Sequence, residues 1–126
     1  MNRDPSKRGI ILFAHGSRDP LWRKPMESVA ERVLQLDPAA QVQCAYLELM
    51  QPDLPTCAAA MVQTGVRSVT VVPMFLGVGK HAREDLPLII DALVASHPQV
   101  TFSLQPAIGE NQRVIELLAN IALAAD

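Results

Sequence analysis

Four short apolar runs, each followed by an amphipathic helical pattern, constrain this chain more than any other feature. The first run, Gly9-Ile-Ile-Leu-Phe-Ala14, has no polar position, the pattern of a strand covered on both faces. It stops at His15-Gly16-Ser17-Arg18. Asp19 then offers an N-cap with Pro20 at the first helical position, and Met26, Val29, Val33 and Leu36 recur at helical spacing up to Asp37-Pro38. Pro25 falls early in that segment, so regular helix is expected only from there. Residues 41–47 form the second strand pattern, which ends at Glu48. Pro52-Asp-Leu-Pro55 opens a helix with Leu54, Cys57, Ala58, Met61 and Val62 on its apolar face and Gly65 as its stop. Residues 68–72 are the third strand. The next helix carries Leu86, Ile89, Ile90, Leu93 and Val94 on one face and stops at His97-Pro98. Residues 100–104 are the fourth strand, and Val114, Leu117, Leu118 and Ile121 mark the last helix.

Four β-α units with short connections predict an α/β domain. Its sheet should be open, four-stranded and mainly parallel, with helices on both faces and right-handed crossovers. At 126 residues the chain is one domain, expected over 9–126 behind a mobile polar tail, 1–8, that lacks an apolar signal core. No apolar run approaches the roughly 18 residues of a membrane span. A net charge of −2 argues against a nucleic-acid partner, because no basic excess is present to displace phosphate counterions. Cys44 and Cys57 form no CxxC pair and sit in apolar patterns, so buried thiols in a reducing cytoplasm are expected.

Ligands of open parallel sheets bind beyond the carboxyl ends of the strands. Three such ends carry metal-capable or proton-transferring groups: His15 after strand one, Glu48 after strand two, His81 in the loop after strand three. They are spaced by roughly 33 residues, one βα unit each. Two imidazoles and a carboxylate suit a borderline divalent ion such as Fe, Co, Ni or Zn, and also suit proton transfer near neutral pH. Each has a plainer reading. His15-Gly16 can be a tight turn whose histidine caps a helix, Glu48 a solvated strand-end carboxylate, and His81 an exposed helix residue paired with Asp85. Their coincidence at one edge favours a site. His97, at the opposite edge, reads as a solvated helix C-terminus. Arg18, Arg23, Lys24, Lys80 and Arg83 are five of the eleven basic residues, all expected near the same mouth, which favours a polycarboxylate or phosphate ligand. Gly77 and Gly79 give that loop room to approach a ligand.

The segments Phe13-Ala-His15-Gly16-Ser17-Arg18, Tyr46-Leu47-Glu48-Leu-Met-Gln51-Pro52, Pro73-Met-Phe-Leu76, Gly79-Lys-His81 and Asp85-Leu86-Pro87 resemble the CbiX/SirB family of sirohydrochlorin chelatases, class II chelatases of the short, single-repeat type. The resemblance runs from Gly9 to about Gly109, with its motifs in order on the expected strands. It implies a chelatase-like, flavodoxin-type three-layer sandwich and a homodimer. It also implies ATP-independent insertion of Co2+ or Fe2+ into sirohydrochlorin with release of two protons, a lyase-type step of cobalamin or siroheme biosynthesis. By the same resemblance, His15 and His81 bind the metal and accept protons, and Glu48 is the active-site carboxylate. Ser17, Arg18, Lys80 and Arg83 are the expected substrate contacts. The metal is substrate, and no organic cofactor is expected. No histidine-rich loop is present, so nickel is not favoured.

Two other classes are weighed. A non-catalytic carrier of metal or tetrapyrrole would share the fold, and turnover separates it from an enzyme. A different His-Gly enzyme fits poorly: a histidine phosphatase would want Arg where Ala14 stands, and the Gly-x-Ser-x-Gly elbow of an α/β-hydrolase is absent.

Overall fold

The first apolar run forms β1 (Arg8–Ala14), a central strand of a four-stranded sheet. In the computed structural model, which describes residues 8–125, the other strands are β2 (Gln41–Tyr46), β3 (Ser68–Pro73) and β4 (Thr101–Leu104). The expected mobile tail lies outside the described residues except for Arg8, which opens β1. All pairings are parallel and the order is β2-β1-β3-β4. The reason is the sequence alternation itself: each strand must be followed by a helix that returns the chain to the starting edge.

The helices are α1 (Lys24–Leu36), α2 (Leu54–Gln63), α3 (Lys80–Ser96) and α4 (Gln112–Ala124). Pro20–Arg23 forms a single 3-10 turn capped by Asp19, whose carboxylate accepts from Leu21 N–H at 2.9 Å. Regular helix begins only at Lys24, with Pro25 in its first turn. Asp53 caps α2, accepting from Thr56 N–H at 2.8 Å. Gly65 ends that segment with φ +96°, as a helix stop requires.

Because side chains alternate along a strand, the sheet builds two cores. Ile11, Phe13, Ala45, Val69 and Val71 face α2 and α3, meeting Leu54, Cys57, Ala58, Met61, Leu86, Ile90 and Leu93. Leu12, Ala14, Val42 and Tyr46 face α1, where Met26 is buried and Ala30 and Val33 pack beside it. The α1 stripe is therefore Met26, Ala30 and Val33, whereas the expected Val29 and Leu36 face outward.

Cys44 and Cys57 are free and lie on opposite faces. Burial pushes the Cys57 thiol up to about 11 and raises Cys44 as well.

The last helix departs from expectation. None of its residues is buried: Ile115, Leu117, Leu118, Ile121 and Leu123 are all exposed. The apolar face read from the sequence is present, but α4 does not lay it on the sheet of its own chain.

Candidate active site

The hydrogen-bond ladders continue past the strand ends, and this continuation builds the site. Beyond β1 and β2, Leu47 N–H donates to Ala14 C=O at 2.8 Å, and Glu48 N–H to His15 C=O at 3.0 Å. The loop carrying Glu48 is thus tied to the loop carrying His15 by backbone, independently of either side chain. Gly16 sits at φ +98°, and a Cβ there would come 1.8 Å from the Glu48 carbonyl oxygen. Only glycine meets both demands, the left-handed backbone and the close approach. This is the physical content of the His-Gly pair.

Beyond β1 and β3, Met74 N–H donates to Phe13 C=O at 2.7 Å. Phe13 is in register with Pro73, and just past the two strand ends His15 and Phe75 come together. Their rings lie 4.3 Å apart between centroids at an interplanar angle of 36°. Phe75 is buried, and Phe13 meets it edge-on at 5.9 Å. Sequence reasoning gave Phe75 no role, although its place in Pro73-Met-Phe75, two residues past an apolar strand, was visible.

His15, Glu48 and His81 all lie at this edge and all are exposed. His81 is not in the loop: it is the second residue of α3, whose N-cap is Gly79. The Asp85 partner considered for it is absent, since the ion pairs among the described residues are Arg8–Asp37 and Arg23–Glu27. Among the described residues no three His, Cys, Asp or Glu side chains stand close enough together to hold a metal ion. His15, Glu48 and His81 therefore share the edge without forming a three-ligand cluster.

The four expected substrate contacts are also here. Ser17 is half-buried, and its Oγ accepts from Asp19 N–H at 3.0 Å, which shapes the loop. Arg18 and Lys80 are exposed. Arg83 is exposed and ties back to the loop by donating to Val78 C=O at 3.2 Å. Arg23 is drawn toward α1 by Glu27 at 3.8 Å.

Charge alone does not describe the mouth. Leu21, Trp22, Leu47, Leu49 and Leu76 expose apolar surface on the same loops, and Trp22 stands edge-on to Tyr46 at 6.3 Å. Large exposed side chains in a cluster mark a binding surface. The motif search favoured ionisable residues and so missed this apolar rim. His97 lies at the other edge as expected, half-buried and 6.1 Å from the Phe102 ring.

The family model described as CbiX matches residues 9–124, nearly the whole chain. The chain belongs to the CbiX family. A crystal structure of a cobalamin (vitamin B12) biosynthesis CbiX protein from Marinobacter aquaeolei is similar at 38% identity and TM-score 0.77, covering 91% of this chain and 93% of that one. Sirohydrochlorin chelatase SirB of Bacillus subtilis subspecies spizizenii, solved in complex with cobalt, is similar at 26% identity and TM-score 0.75; 90% of this chain matches 48% of that chain. Among curated relatives, the sirohydrochlorin cobaltochelatase of Methanopyrus kandleri is 32% identical over 81 residues, which are 64% of this chain and 57% of that protein. The chain thus spans less than two thirds of that relative's length. No helix among the described residues is long and apolar enough to cross a membrane.

Proposed function

We propose that this CbiX-family protein is a sirohydrochlorin chelatase that exchanges two pyrrole protons for a divalent metal, Co2+ or Fe2+, without ATP. The observation that carries the reading is the placement of His15, on the loop after β1, and His81, in the first turn of α3, at one sheet edge, with the Glu48 backbone hydrogen-bonded into the His15 loop. The names of its relatives and the cobalt-bound SirB structure support the same chemistry.

The three donors are exposed and form no closed three-ligand cluster, which suits a site that must release its ion. A closed set of ligands would keep it. His15 and His81 each offer a neutral nitrogen to the incoming metal. Metal transfer to the ring frees two protons, which the imidazoles and the Glu48 carboxylate take up and pass to solvent. The exposed guanidinium and ammonium groups of Arg18, Lys80 and Arg83 attract the ring's carboxylates, with Ser17 shaping the loop beside them. The leucines and Trp22 of the rim receive the flat apolar surface of the macrocycle.

The active form in this reading is a homodimer. Two unpartnered surfaces support it: the apolar face of α4, and a mixed groove of about 360 Å³ on the α1 side of the sheet, with Ile10, Val72 and Ile108 on its floor and Arg8, Glu110 and Arg113 among its polar lining. SirB, whose chain is about twice the length that this one matches, is consistent with two such units working together.

The test is anaerobic absorption spectroscopy of sirohydrochlorin with Co2+ or Fe2+, with and without the purified protein. Protein-accelerated insertion supports the enzyme. Tight binding of ring or metal at the spontaneous rate makes the protein a carrier, and the ratio of the two metals' rates assigns the product.

A further inference from the structure

We propose that Phe75 is a positioning residue of the metal-insertion site: its buried ring is a shelf that fixes the plane of the His15 imidazole. The proposal rests on the functional reading above for its metal-binding consequence, and on geometry alone for the shelf.

The geometry has three parts. The β1–β3 ladder pairs Phe13 with Pro73 and is carried one step further by Met74 N–H donating to Phe13 C=O, which brings the residues just past both strand ends, His15 and Phe75, side by side. The two rings are close enough for van der Waals contact, with 4.3 Å between centroids. The shelf itself is fixed from below and from behind. Phe13 supports it edge-on at 5.9 Å, and the Phe75 carbonyl accepts from Gly109 N–H at 3.0 Å. Gly109 lies so close that a Cβ there would fall 2.0 Å from the Leu76 carbonyl oxygen, which pins the backbone immediately after Phe75. An exposed imidazole thus rests on an immobile aromatic face.

The chemical consequence follows from the shape of imidazole. Its lone pair lies in the ring plane, so fixing that plane fixes the directions along which a metal can bind. A covered ring face holds that plane in place and leaves the ring edge, where the lone pair lies, free for the ion. An exposed histidine on a loop would otherwise sample several rotamers and lose entropy on binding the ion. Hydrogen-bonded partners that orient a metal-binding histidine typically change metal affinity by about tenfold or more, and an aromatic shelf that orients the ring is expected to act at the lower end of that range.

The experiment compares wild type with Phe75→Leu, which fills much of the volume without a flat face, and Phe75→Tyr, which restores one. Proton NMR of the His15 ring protons reads the stacking, Co2+ titration of the protein alone reads the metal site, and amide NMR confirms the fold. Expected are ring-current-shifted His15 protons in wild type and Phe75→Tyr, and loss of that shift in Phe75→Leu. Co2+ binding should weaken on the order of tenfold in Phe75→Leu and stay within about twofold in Phe75→Tyr. Unshifted His15 protons in wild type would overturn the shelf, and that measurement needs no variant. Unchanged Co2+ affinity in folded Phe75→Leu, or equal loss in both variants, would overturn the positioning role. If wild type binds no Co2+, the functional reading fails, while the His15 ring protons still decide the shelf.

Discussion

The Glu48 N–H donates to the His15 carbonyl across 3.0 Å, so two of the three proposed catalytic residues are joined through their backbones. Gly16 lies against this junction. The two loops are joined at this point, and a side chain added at Gly16 would press on the Glu48 carbonyl without touching the His15 or Glu48 side chain.

Gly16→Ala is accordingly expected to be damaging. The left-handed backbone, φ +98°, costs a non-glycine residue about 1–3 kcal/mol, and the new Cβ collides with the Glu48 carbonyl. The measurement is chemical denaturation together with metal-insertion rate. The expected outcome is lower stability and a loss of rate comparable to that of a Glu48 variant.

Glu48→Gln keeps the size of the side chain and the backbone junction but removes the carboxylate. Insertion is expected to slow by about tenfold or more while the thermal midpoint stays near wild type. If rate and metal affinity are both unchanged, Glu48 serves only to hold the loop.

The α4 face predicts an association state. Leu118 and Ile121 are exposed in the single chain, and leaving such a face in water is costly. A Leu118→Glu, Ile121→Glu variant should sediment as one chain of 13.7 kDa where wild type sediments as a dimer. A monomeric wild type would remove α4 from any interface.

The pH dependence of stability has a clear sign on the alkaline side. Burial raises the Cys57 thiol from 9.0 to about 11. Above pH 9 the unfolded chain loses this proton first, so it binds fewer protons than the folded one and stability falls with rising pH. The contribution is fully present below pH 9 and is lost on the way to pH 11. Denaturation midpoints across that range should decline, and Cys57→Ala should flatten the decline.

Strand and helix order were legible because short apolar or alternating runs gave way each time to helical spacing, with β4, where Thr101 and Ser103 are exposed, left open on one face. The site edge was legible because parallel strands must deliver their loops to one side. Two things were not. The amphipathic pattern of α4 showed that Leu117, Leu118 and Ile121 need cover, but a periodicity cannot say whether the cover comes from the same chain. The stacking of His15 on Phe75 depends on the β1–β3 register, which pairs Phe13 with Pro73, and register is a property of two strands together. His81 was read as part of the glycine-bearing loop after the third strand, which carries Gly77 and Gly79 just before it. Gly79 instead caps α3, and the helix begins one residue before His81.

The most direct test of the central claim is the rate of Co2+ insertion into sirohydrochlorin by wild type, His15→Ala and His81→Ala, measured anaerobically by absorption with ring binding matched. The account predicts acceleration by wild type and a fall on the order of 10²–10⁴-fold in each variant, with the fold intact. Wild-type rates in both variants would contradict it.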